Sequence, residues 1–174
     1  MVEADTAAGA QQQWVLLSYR LPRQPSTPRS NVWRKLKRIG AAQLGDGLVA
    51  MPADARTREA LEWIAEEVAE HGGEAMLWLG QPAEITARAG LIDKMTVTVA
   101  ADYLAVAAEA VETLDADPAT RRRVAARLRR ELHRINARDF FPPPQRDTAA
   151  RAVGQLATHT VEEPAPRPAG RAAR

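Results

Sequence analysis

The chain of 174 residues contains no cysteine. That excludes disulfides, thiolate nucleophiles and cysteine-bound metal, and a reducing, cytoplasmic setting is the expectation. Aromatic residues are scarce, at 5% with only two phenylalanines, while alanine supplies much of the 45% hydrophobic content. Such a composition suits closely packed helices better than a large β-sandwich. No apolar run reaches the roughly 18 residues that a membrane-spanning helix needs. The opening "MVEADTAAGAQQQ" carries acids and no apolar stretch, so it is not a secretory signal. The three histidines, His71, His133 and His159, are scattered without metal-ligand spacing and read as surface or helix-end residues. No glycine-rich phosphate loop follows a strand, and no Ser/His/Asp set stands out. The expectation is a protein with no catalytic residues, no metal and no cofactor.

What is abundant is charge, and it is unevenly spread. The formal net charge is only +2. From Thr6 to Gly45, however, there are seven basic residues and no acids; from Asp46 to Asp117, fifteen acids and four bases; from Pro118 to Arg151, ten arginines and three acids. This basic–acidic–basic order implies either pairing between segments or a molecule with one basic face.

Local patterns supply the elements. "WVLLSYRLP", Trp14 to Pro22, is an apolar run closed by proline and reads as a buried strand. "RQPSTPR" reads as a loop, with Ser30 as N-cap of a helix whose Val32, Trp33, Leu36 and Ile39 form one face before Gly40 ends it. Two short apolar runs flank Asp46-Gly47, a hairpin signal. Asp54 or Thr57 starts a second helix with Leu61, Ile64, Ala65 and Val68 as its core stripe, and Glu74 to Gly80 is a final strand. The order β, α, β-hairpin, α, β defines an α+β protein: a ferredoxin-like βαββαβ antiparallel sheet with two helices on one face, its first and third strands central. The expected division is a disordered tail over 1–13, the sheet domain over 14–81, a C-terminal helical extension over 82–158 and a disordered tail over 159–174. Within the extension, Tyr103 to Leu114 is helical. "MTVTVA", Met95 to Ala100, alternates like a strand but is read as helix, since a fifth strand would need an edge to join. Asp117 and Pro118 open a long helix with Val124, Leu128, Leu132 and Ile135 on one side. Arg146 to Ala157 is a last helix.

That long helix runs into "HRINARDFFPPP", where Phe140 and Phe141, the only phenylalanines, precede three prolines. Each ring can bury ~150–250 Å², and Pro142 keeps Phe141 out of the α conformation. The pair is expected to plug the core and close the helical hairpin onto the sheet domain.

Four stretches in order, "WVLLSYRLP", "VWRKLKRIGAAQLGDGLVAMP", "TREALEWIAEEVAEHGGEA" and "INARDFF", resemble the amino-terminal domain of the chromate-resistance protein ChrB, over roughly Trp14 to Leu156. The resemblance implies a transcriptional regulator that binds DNA and responds to an oxyanion such as chromate; separately from it, a cytoplasmic homodimer is the expectation. The chain is more distantly similar to the middle domain of the phenylacetate repressor PaaX and to the small CRISPR adaptation nuclease. It departs in three ways. Neither the second domain of longer relatives nor a winged helix ahead of Trp14 is expected from these residues, and "TVTVAADY" stands where mostly charged helix is expected. A metal-dependent nuclease of this fold needs a carboxylate at the end of the first strand, because Mg²⁺ takes hard oxygen ligands. Here Arg20 occupies that place.

Two basic clusters compete for DNA. The first is Arg34, Lys35, Lys37 and Arg38, with Arg20, Arg23 and Arg29 near by in sequence and no acid interleaved. The second is Arg123, Arg127, Arg130 and Arg134, one stripe of a helix spanning ~16 Å at 1.5 Å per residue. The second helix offers a matching acidic stripe, Glu59, Glu62, Glu66 and Glu70, so those arginines are expected to pair with it, internally or across a dimer, or else to meet phosphates. The first cluster is the expected DNA-binding set. Two alternatives stay open: a protein-interaction module that partners a separate chromate-resistance component, and a metal-dependent nuclease.

Overall fold

The computed structural model describes residues 13–158. The first strand, β1 (Trp14–Arg20), turns Val15, Leu17 and Tyr19 to one face and Trp14 and Leu16 to the other. Both faces are covered at its start, where Trp14 and Val15 are each 1% exposed. A strand buried on both sides reads as a continuous apolar run rather than an alternation, which is how "WVLL" looks.

The chain continues through α1 (Thr27–Ile39), β2 (Ala42–Gly45), β3 (Leu48–Pro52), α2 (Ala55–Glu70) and β4 (Glu74–Gly80). All pairings are antiparallel and the sheet order is β2-β3-β1-β4, with the first and third strands central as expected. Leu16 lies opposite Ala50 on one side and Trp78 on the other. The Asp46-Gly47 turn needs its glycine. Gly47 has φ +74°, and a Cβ there would sit 2.3 Å from the Tyr19 carbonyl oxygen.

Helix starts follow from local hydrogen bonding. Asp54 and Thr57, the two candidate starts of the second helix, act together as a capping box. The Asp54 carboxylate accepts from the Thr57 N–H at 2.7 Å, and the Thr57 hydroxyl accepts from the Asp54 N–H at 3.0 Å. The expected N-cap at Ser30 is corrected: α1 begins at Thr27, behind Ser26. Pro28 sits in its first turn, where a missing N–H costs no hydrogen bond and a fixed φ already suits a helix. Thus part of the expected loop is helical. From α1, Val32 and Leu36, and from α2, Leu61, Ile64 and Val68 pack on Val15, Leu17, Val49 and Met51 to form the sheet unit's core.

Beyond Gly80 come α3 (Ile85–Glu112), α4 (Pro118–Asn136) and α5 (Gln145–Thr158). The helix expected from Tyr103 to Leu114 begins eighteen residues earlier and includes Met95 to Ala100. Its threonines are accommodated by donating back along the helix, Thr96 to the Ile92 carbonyl and Thr98 to the Lys94 carbonyl, each at 2.9 Å. Asp117 caps α4, accepting from Ala119 N and Thr120 N at 3.0 Å each. Hydrogen bonding from the Thr120 side chain, and then from these N–H groups, favours the ionised carboxylate and holds its pKa below the usual value. Leu128 and Ile135 of α4 are buried, with Val124 and Leu132 packed against the same core alongside Tyr103, Val153 and Leu156. The expected tails lie outside the described residues, apart from Gln13.

A third, smaller core joins the two units. Trp14, Ala42 and Ala50, on the sheet face opposite α1 and α2, meet Leu91 and Met95 of α3, with Phe140 and Phe141 packed against them.

Candidate nucleic-acid interface

Since α1 buries Val32 and Leu36, its cations fall on the outer half-turns: Arg34, Lys37 and Arg38 are exposed. Lys35 is half-buried and donates to Glu67 Oε2 of α2 at 2.6 Å, so its charge is neutralised within the fold. The Arg34 guanidinium donates to Asn31 Oδ1 at 2.5 Å. Lys37 Nζ stands 4.5 Å above the centre of the Trp33 ring, a cation–π contact that leaves the ammonium in solvent.

The first cluster divides in two. Arg20, Arg23 and Arg29 line a cleft of about 490 Å³ at the end of β1, closed on its far side by Gly72, Gly73 and Glu74. Arg29 is held there by donating to the Pro22 carbonyl at 2.8 Å. Arg34, Lys37 and Arg38 instead line a second cleft of about 540 Å³ between α1 and α3, whose opposite wall carries Lys94 and Arg138. Five cations and one carboxylate, Asp102, line this cleft. Asp102 accepts from Arg138 at 2.8 Å, fixing that guanidinium at the cleft wall. Lys94 and Arg138 were not among the residues expected to act, and no local signal marks them: Lys94 is an isolated base in an acidic segment, and Arg138 lies beyond α4.

The stretch "HRINARDFFPPP", residues 133 to 144, builds this wall. The buried Tyr103 ring donates its hydroxyl to Asn136 Oδ1 at 2.5 Å and Asp139 Oδ2 at 2.9 Å. Burial, then the bond to Asp139 and its negative charge, push the phenol well above its usual pKa. Arg56 of α2 donates to the Ala137 carbonyl at 2.7 Å and lies over the Phe140 ring at 5.3 Å. Phe141 meets Trp14 at a centroid distance of 6.0 Å. Phe140 and Phe141 are therefore packed between the two units, each only partly buried rather than enclosed. Where α1 ends, Gly40 has φ +81°, and a Cβ there would lie 2.8 Å from Arg138 Cβ. Glycine is needed both for the left-handed cap and for the close approach.

The second stripe has a different environment. Arg127 pairs with Glu109 of α3 and Arg134 with Glu131 of its own helix at 2.5 Å. The expected acidic partner on α2 is corrected: there, Glu62 takes Arg58 and Glu67 takes Lys35. Arg123 reaches only the Thr120 hydroxyl, at 3.5 Å, and Arg130 forms no ion pair among the described residues. Arg121 is 4% exposed and donates to the Leu114 carbonyl at 3.2 Å. It therefore belongs to the interior.

Among the described residues, no group of three or more His, Asp or Glu side chains is gathered where a metal ion could sit, and no helix is long and apolar enough to cross a membrane.

Fold and surface together define a class: an α+β protein with, among the described residues, a four-stranded antiparallel sheet, five helices and a cation-lined cleft where its two units meet. The family described as Protein ChrB, N-terminal matches residues 29–115, which include α3 and all but the first two residues of α1. Protein ChrB of Cupriavidus metallidurans is 34% identical over 133 residues, covering 74% of this chain. This chain belongs to the ChrB amino-terminal family. It spans about 40% of the length of that curated relative. No solved structure matches it.

Proposed function

We propose that the chain is a non-catalytic, DNA-binding regulatory module of the chromate-resistance type, acting in the cytoplasm. The observation that carries this reading is the cleft between α1 and α3, where Arg34, Lys37, Arg38, Lys94 and Arg138 face a single carboxylate already bound to Arg138. Phosphates neutralise such a cluster, and release of their counterions drives binding. The sheet unit is read as ferredoxin-like; its order β2-β3-β1-β4 and the placing of α1 and α2 on one face support that. Arg20 stands where a metal-dependent nuclease of this fold would need a carboxylate, which favours binding over cleavage. An oxyanion effector such as chromate fits the same chemistry, since the three arginines at the end of β1 form a second, smaller cationic cleft.

A titration of the parent protein against a promoter fragment at several salt concentrations tests the reading. The expected outcome is a mobility shift whose affinity falls steeply with salt, by roughly 0.9 log units per log unit of salt for each phosphate contacted. Salt-independent binding, or none, rejects it. In that case the interaction-module reading is favoured by Trp63 and Trp78, 65% and 56% exposed.

A further inference from the structure

Helix α3 carries two apolar stripes. One contains Leu91, Met95, Val99, Tyr103, Val106 and Ala110 and is buried. The other, on the opposite side, contains Val97, Ala101, Leu104, Ala108 and Val111, all exposed, with Val97 at 68%, Leu104 at 52% and Val111 at 57%. Its spacing is four, three, four, three, the seven-residue repeat of a helix that packs along another helix. An ordinary outer helix face would be charged. Here the flanking positions Ala100 and Ala105 are alanines as well, so half of α3 carries no charge between Val97 and Val111.

We infer that this stripe is the homodimer interface, where α3 packs antiparallel against α3 of a second copy. Two features select a second copy as the occupant. The stripe reads Val-Ala-Leu-Ala-Val from either end, and a twofold contact requires a surface that complements itself. An antiparallel pair centred near Leu104 lays Val97 beside Val111 of the partner subunit, while the alanines let the backbones approach. The second feature is shape. Leu104, Ala108, Val111 and, at the end of the helix, Glu112 line one side of a groove of about 610 Å³, and Thr148, Arg151, Ala152 and Gln155 of α5 line the other. A partner helix laid along that groove would meet both α3 and α5, and the two copies together would form a four-helix packing. The inference does not depend on DNA binding, because it is tested without DNA.

The natural absence of cysteine makes the test clean. Full-length parent protein should run in analytical ultracentrifugation at twice the 19.0 kDa chain mass. Leu104→Glu should halve that mass with the far-UV circular dichroism spectrum unchanged, because the side chain lies outside the cores of the single chain, and its melt should fall only by what association adds to the parent. Leu104→Cys, which preserves size and apolarity, should form an intermolecular disulfide on mild oxidation. Val97→Cys alone should not, since its two copies lie ~21 Å apart along an antiparallel pair at 1.5 Å per residue. A monomeric parent overturns the inference, and the stripe then belongs to a different chain. A dimer that survives Leu104→Glu places the interface elsewhere. Cross-linking through Val97→Cys alone overturns the antiparallel arrangement.

Discussion

Helices α1 and α4 both carry a row of cations, yet the fold treats the two rows in opposite ways. On α4 the row lies beside acidic neighbours: Glu109 takes Arg127 and Glu131 takes Arg134. On α1 only Lys35 meets a carboxylate, and Arg34, Lys37 and Arg38 face further positive charge across the cleft. Counting bases along the chain favours α4, since that segment holds more arginines. Surroundings favour α1. Uncompensated charge gathered in one concave place attracts an anion, whereas a paired charge mainly sets how helices register, at ~0–1 kcal/mol per exposed pair.

Three variants would break or sharpen this contrast. The largest effect is expected from Phe140→Ala, which loosens the packing that carries Arg138 up to α1. Full truncation of a buried phenylalanine costs ~3–5 kcal/mol, and partial exposure reduces that here to roughly 2–3 kcal/mol, read from denaturant unfolding. DNA affinity should fall with it, because one wall of the cleft is released. If affinity is unchanged in a measurably destabilised Phe140→Ala protein, α1 acts without α3 and the cleft is incidental. Next comes the double change Arg34→Ala with Arg38→Ala. Loss of two phosphate contacts should weaken binding about tenfold to a hundredfold, ~1.4–2.8 kcal/mol, and flatten the salt slope by about two units. The effect should be similar on every sequence, and folding should persist, since both side chains are exposed. Smallest is Arg127→Ala with Arg130→Ala: stability should drop by no more than ~1 kcal/mol, with binding close to that of the parent. A large loss of affinity in that variant would reverse the assignment of the two helices.

The bounds of β4 and the cap of α4 were legible in the sequence, and the start of α2 was narrowed to Asp54 or Thr57, because each is decided by neighbours a few residues apart. Pro28 misled at α1: proline suits a loop and a first helical turn equally, and only the packing of Val32 and Leu36 separates the two. The length of α3 was obscured for another reason. With apolar residues on both sides, it shows no single amphipathic period from which to read an extent. The cleft was half legible. Arg34, Lys37 and Arg38 stood out as cations without acids, but Lys94 and Arg138 come from distant parts of the chain. They join the cleft only because Phe140 and Phe141 bring the end of α4 back to the sheet. The expected match between the arginine stripe and the acids of α2 failed because complementary spacing says nothing about which helices are neighbours.

Gly40 gives the cleft a mechanical property. Where α1 ends, its backbone stands so close to Arg138 that even a methyl group would collide, at 2.8 Å from Cβ and 2.9 Å from the carbonyl oxygen. The gauge between the two cationic walls is therefore set by main chain resting on main chain, which cannot yield as a side-chain rotamer can. The opening is a jaw of set gauge: an anionic ligand must match its width, and the ordering it demands falls on the cationic side chains rather than on the main chain.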